Sequence, residues 1–249
     1  MLLWQLLRDI AQILMAIATF LTAYLMYRSI RLMEKDRKRP VIREIIQKVV
    51  TVLIDRLDQE LRACKTGRYG WSHRRKRPDH VFELRECVPP HVTPLLNDFL
   101  REHPRIKKYF DEHDIIAQKL INGLRRLDEA IATPEFFAKC RELIKENRRL
   151  REEDIPYIIN HVVDGVGPEL PSYTTYEFWR RHGEELLKVR ERNDIRVIIE
   201  EVEINRNKLI KLSGRLKKLL EKARERYRKR YNLLVEELRE QRIPTVSVS

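Results

Sequence analysis

The stretch IAQILMAIATFLTAYLMY, residues 10–27, holds eighteen positions without a charge, and Arg28, Arg31, Lys35, Arg37, Lys38 and Arg39 follow it at once. As a helix it would rise ~27 Å, close to the ~30 Å hydrocarbon layer of a bilayer. Its apolar face goes all the way round, which does not fit a helix lying on a membrane surface. A buried soluble helix rarely runs this long uncharged. Ala16-Ile-Ala18 has the small-x-small form of a cleavage site, but a cut there would leave TFLTAYLMY exposed. The first residues also lack the net positive charge of a signal peptide. The segment therefore reads as one membrane span. Trp4 marks one interface, Tyr24 and Tyr27 the other, and Arg8 and Asp9 pair or snorkel near the first. Residues 28–39 carry six basic and two acidic side chains; the N-terminal flank carries one of each. The positive-inside bias predicts a single-pass protein of the cell membrane, N-terminus outside and residues 28–249 in the cytoplasm.

Outward from the anchor, the patterning is helical. The anchor helix is expected to run to about Arg39, where Pro40 interrupts or kinks it. VIREIIQKVVTVLIDRLDQELRAC then puts Ile42, Ile45, Ile46, Val49, Leu53, Leu57 and Leu61 on one broad face. Residues 65–80 read as a loop punctuated by Gly67, Gly70 and Pro78, and residues 81–88 as a short strand or a helical turn. Thr93-Pro94 and Thr133-Pro134 each offer a cap followed by proline at the first helical position. Between them Ile115, Ile116, Leu120, Leu124, Leu127 and Ile131 keep helical spacing. DGVGPELPSY, 164–173, is the clearest interior linker, and Thr175 caps the next helix. From Asp194 to Gln241 there is no proline and one glycine. Its stripe, Ile195, Ile198, Val202, Leu209, Leu212, Leu216, Leu219, shifts phase to Leu220, Tyr227, Tyr231, Leu234 and Leu238, as in a coiled coil with a stutter. That helix either packs on the bundle or pairs between chains.

The fold class that follows is all-α. One N-terminal transmembrane helix (1–30) leads to a juxtamembrane helix (31–64), a basic loop region (65–91), a cytoplasmic helical bundle (92–192), a long coiled-coil-like helix (193–242) and a tail (243–249). Charged residues make up 36% against ~25% in an ordinary protein, with glycine scarce. This composition is that of thermophile proteins rich in ion-pair networks. Three cysteines suit a reducing compartment without a disulfide framework. FLTAYLMYRSIRLMEKDRKRPVI, residues 20–42, resembles the start of uncharacterised prokaryotic, thermophilic archaeal proteins that begin with one spanning helix and continue in a charged helix ending in Arg-Pro. The resemblance covers roughly residues 15–42 and implies a membrane-anchored helical protein, with no functional residues attached.

Three basic patches, the collar at +4, residues 65–79 at +5 and residues 215–230 at +7, together exceed the net charge of +13, so the rest of the chain is slightly acidic. Arg74, Arg75, Lys76 and Arg77 beside Trp71 suit anionic headgroups or, less well, nucleic acid. Lys217, Lys218, Arg228 and Lys229 suit phosphates or an acidic helix, and Leu209, Leu212, Leu216 and Leu219 a partner helix. Cys64, His73, His80, Cys87 and His91 lack the compact pairs a zinc site uses, so no metal is assigned. Asp111, Glu112, His113 and Asp114 read as a solvated turn rather than an acid–base site. Asp164-Gly-Val-Gly-Pro168 reads as a hinge. No Walker loop, GxSxG, HExxH or paired ExxH motif occurs, so no catalytic residue and no cofactor is assigned. The expected function is a non-catalytic, membrane-anchored scaffold or adaptor for a protein partner, with a homo-oligomer open. The alternatives are a tether to anionic lipid or nucleic acid, and an enzyme without a recognisable motif.

Overall fold

A run of apolar helix formers from Leu2 opens helix α1, Leu2–Ile45. The computed structural model describes residues 2–146, 150–165, 173–231 and 233, with side chains of 2–11 and 173–177 left aside. Expectations for Trp4, Arg8, Asp9, Leu234, Leu238, the 166–172 part of the linker and the 243–249 tail fall outside these; Thr175, expected to cap a helix, lies inside one that already starts at Tyr173. Among the described residues every regular element is helical and no strand occurs.

The chain divides into two compact units. The first comprises Met1–Ile46 and Arg224–Ser249. Here α1 is long and apolar enough to cross a membrane, and none of its most apolar window is buried. Ile13, Phe20 and Met33 are 59%, 74% and 69% exposed. The hydroxyls of Thr19 and Thr22 donate back to Met15 O and Ala18 O at 2.8 Å. No threonine hydroxyl there needs water as a partner. Of the two outcomes expected at Pro40, an interruption or a kink, the interruption does not occur; α1 continues through it. A proline inside a helix costs ~3 kcal/mol, and burial of Ile42, Ile45 and Ile46 just beyond it offsets that at ~1.5–3 kcal/mol each.

A π-helical turn, Ile46–Thr51, follows α1 and passes into α2, Val52–Thr66. The wider turn rephases the helix, so that Val49, Val50, Leu53 and Leu57 become the buried positions. Gly67 closes α2 at φ +69, where its N–H caps Ala63 O.

The second unit, Gln47–Ala223, holds the main core. Residues 81–88, undecided in sequence, form a 3-10 turn, Leu84–Cys87. Helix α3 (Thr93–Glu102) begins at Thr93 itself, with no side-chain cap, so only one of the two Thr-Pro caps forms. Helix α4 (Pro104–Ile131) runs through the core on Ile106, Phe110, Ala117, Leu120, Leu124, Leu127 and Ile131. Thr133 Oγ1 accepts from Phe136 N at 3.3 Å and starts α5, Pro134–Lys145. Helices α6 (Ile155–Asp164) and α7 (Tyr173–Leu187) bury Ile158, Ile159, Phe178, Trp179 and Leu186. Helix α8, Asn193–Tyr231, lays Ile195, Val202, Leu209 and Leu216 inward. An alanine methyl at Gly123 of α4 would stand 2.9 Å from Val202 Cγ2 of α8, so the missing side chain sets how closely these two helices approach.

Candidate functional site

Three helices bring polar groups into the core of the second unit. Glu60 of α2, His113 of α4 and Ser213 of α8 each occupy a position in an otherwise apolar stripe, and all three are sealed from solvent. His113 Nε2 lies 2.8 Å from Glu60 Oε1. Ser213 Oγ lies 2.6 Å from the same oxygen and 2.8 Å from Leu209 O, with one proton to share. Asp114 Oδ1 accepts from Leu84 N at 2.7 Å and sits 3.5 Å from His113 Nδ1. Burial alone would lower the His113 pKa, but Glu60 and Asp114 outweigh it and raise it to about 9. The imidazolium thus lies between two carboxylates. This corrects the solvated turn expected at 111–114: these residues lie inside α4, with His113 and Asp114 buried. The trio of residue types invites comparison with a serine-hydrolase relay. There the serine must bond the histidine; here both donors point at one glutamate oxygen, away from any solvent path. The arrangement ties three helices together.

The basic loop takes a different form from the one expected. Trp71 is 2% exposed and Tyr69 3%; both are core residues, so neither is free to stack on a base. Ser72 and Arg77 pair across a bridge, and Lys76 at the tip takes φ +48. His73 anchors the hairpin through Nδ1 to Asp128 Oδ1 at 2.7 Å and through its N–H to Asn160 Oδ1 at 2.8 Å. Arg74, Arg75, Lys76 and Arg77 remain exposed. Two have partners: Arg75 faces Asp79 at 3.4 Å and Lys76 faces Glu129 at 3.6 Å. Arg77 opens on a cleft of about 450 Å³ with Arg56 and Arg125, but Asp79, Glu83 and Glu86 line the same cleft and balance them.

The C-terminal candidates separate. Leu209 and Leu216 are fully buried within the chain, which removes them from any partner-helix face. Leu212 and Leu219 are half-buried. The buried register runs instead through Leu209, Ser213, Leu216, Leu220 and Ala223. Lys217 is engaged by Asp58 at 2.6 Å, Lys229 faces Glu225 at 3.5 Å, Lys218 is exposed and Arg228 half-buried. Sequence reasoning missed the seam beside them. Ile115, expected in the core stripe of α4, is 57% exposed. With Glu112, Ile116, Lys208, Lys211, Leu212 and Arg215 it lines a groove of about 360 Å³ between α4 and α8.

A second, half-buried ionisable group sits at the end of α6. Asp164 takes a hydrogen bond from Tyr69 N, yet desolvation dominates and raises its pKa to about 7 against the pull of Arg190 and Arg68. Arg190 Nη1 donates to Val162 O and Val163 O at 2.6 and 2.7 Å, closing the helix. Gly165 at φ +64 leaves room for that guanidinium, which would lie 2.6 Å from an added Cβ. Among the described residues no cluster of His, Cys, Asp or Glu has the form of a metal site; Cys64 and Cys140 are buried, and burial pushes their thiols up to about 12.

Compared with family models, curated proteins and solved structures, the chain has no match.

Proposed function

We propose that this chain is a single-pass, membrane-anchored adaptor, non-catalytic, with its N-terminus outside and its helical domain offered to a protein partner in the cytoplasm. The observation that carries the reading is the exposed apolar length of α1, from Ile13 to Met33, joined to a basic collar. A soluble monomer rarely exposes an apolar patch above a few hundred Å², and a bilayer removes the whole of this one from water. The adaptor half of the reading draws on the helical second unit, whose Glu60–His113–Ser213 cluster is sealed rather than open to a substrate. The test is recovery of the tagged full chain from native membranes in mild detergent. A stoichiometric partner that survives moderate salt supports the adaptor, and its absence in repeated recoveries counts against it. Protease protection of an N-terminal tag in sealed vesicles tests the orientation.

A second reading, a tether to anionic lipid, has one observation in its favour: Arg74 is exposed on the hairpin without a carboxylate partner among the described residues, and Arg77 is exposed beside it at the edge of the mixed cleft. It expects binding to phosphatidylserine vesicles that falls steeply between low and moderate salt, and Arg74→Ala with Arg77→Ala removes it.

A further inference from the structure

We propose that the seam between α4 and α8 is the docking site for an acidic amphipathic helix of a protein partner, an inference that rests on the adaptor reading and names its surface. Its floor is apolar: Ile115 is 57% exposed and Ile116 and Leu212 half-buried. Its rim is cationic. Lys208, Lys211 and Arg215 are exposed at i, i+3 and i+7 of α8, on one face. None of the three has a carboxylate partner among the described residues. The one acid in the groove, Glu112, faces Lys108 at 3.9 Å.

Beyond the groove, the same face of α8 carries further exposed apolar residues, with Glu201, paired to Arg126 at 2.7 Å, between them. Val197 and Ile204 lie two and one heptads before Lys211 and are 63% and 54% exposed. Together these residues make a strip ~27 Å long, the length of an eighteen-residue helix. A groove between two helices accepts the side-chain ridge of a third. An apolar floor with cations beside it selects a partner with leucine-like residues on one face and carboxylates flanking them. An acyl chain suits it less: small amphiphiles bind where 70–90% or so of their surface is enclosed, and this seam is open along its length.

The test places a photo-crosslinking benzoylphenylalanine at Ile115 or Leu212 of the full chain in native membranes, with Tyr157, 63% exposed and outside the seam, as the control position. The expected result is an adduct from Ile115 and Leu212, and not from Tyr157, whose crosslinked peptide is acidic and carries apolar residues at helical spacing. The triple variant K208E/K211E/R215E should lower its yield at least tenfold; its melting curve checks that the fold is kept. An adduct to lipid, to a second copy of this chain, or to a peptide without that pattern overturns the proposal, as does unchanged yield in the triple variant. If a partner is recovered by pull-down but crosslinks elsewhere, the docking site is wrong and the adaptor reading stands. If no partner is recovered at all, both fail.

Discussion

The apolar window of α1 and the core of the second unit are both helical, and they handle polarity in opposite ways. Along α1, apolar side chains from Ile13 to Met33 face outward. In the core, Glu60, His113 and Ser213 face inward from apolar stripes. The first pattern is stable only where the surroundings are themselves apolar; the second depends on the partners the buried groups find, here His113 and Ser213 on one oxygen of Glu60 while Glu60 Oε2 accepts no hydrogen bond from the described residues. Breaking the first should give the largest effect. Ile17→Arg with Leu21→Arg puts two charges near the middle of the window, at ~2.5–3.5 kcal/mol each for insertion. The double variant should move from the carbonate-resistant membrane fraction to the soluble or aggregated one. If it stays in the membrane fraction, α1 is not the span.

The core cluster is the other side of the comparison. Glu60→Ala would leave a buried imidazolium with only Asp114 and Ser213 with only Leu209 O. Breaking a buried pair from one side costs ~3–5 kcal/mol, read as a lower urea midpoint for the full chain in micelles. Replacing the set together, Glu60→Leu, His113→Leu and Ser213→Ala, should be close to neutral, because Glu60 and His113 leave as a pair and Asp114 keeps Leu84 N–H at 2.7 Å and Arg85 at 3.7 Å. A triple variant as unstable as Glu60→Ala would mean that the cluster's shape, not its charge, holds the three helices.

Most of the helical architecture was legible in periodicity, because an apolar stripe at 3.6-residue spacing has few other uses. The buried polar residues were legible in a weaker sense. His113 falls in step between Phe110 and Ala117, Glu60 between Leu57 and Cys64, and Ser213 between Leu209 and Leu216. Their register marked them for the interior even though their chemistry suggested solvent. The basic loop misled because composition cannot say which aromatics point inward; Trp71 and Tyr69 lie on the core side of a hairpin whose arginines lie outside. The groove was hidden for a related reason. Ile115 and Ile116 are adjacent, and a broad stripe can take in two neighbours, as it does His113 and Asp114, so periodicity alone did not show that Ile115 falls on its outer edge.

Acidity separates the buried His113 site from the half-buried Asp164. For Asp164 the folded pKa, about 7, lies above the ordinary 3.8. The folded state holds the extra proton, so stability falls as pH rises between about 4 and 7 and is level outside that window. For His113 the folded pKa of about 9 lies above 6.5; its contribution is complete below 6.5 and is lost as pH rises through 9. Asp164→Asn should flatten the first window, by up to ~1.4 kcal/mol per pH unit, and leave the second. The measurement is the difference in unfolding free energy between variant and parent at pH 5 and pH 8. A difference that does not change with pH would mean that Asp164 is ionised throughout.

The smallest expected effect tests the contact that shapes the proposed groove. Helix propensity alone favours Gly123→Ala by ~1 kcal/mol. Against that stands the 2.9 Å approach to Val202 Cγ2. A β-branched side chain on a helix is held to one rotamer, so the strain falls on the helix spacing, at ~1–3 kcal/mol. The net should be a loss of ~1 kcal/mol in Gly123→Ala. Val202→Ala in the same chain should relieve it, giving a favourable coupling of ~1 kcal/mol or more in a double-mutant cycle. Arg126 and Glu201 bridge the same two helices at 2.7 Å. Wider spacing would lengthen that bridge, and the cycle separates such spacing from a local clash: a coupling that vanishes in Arg126→Ala belongs to the spacing, and one that persists belongs to the methyl contact itself.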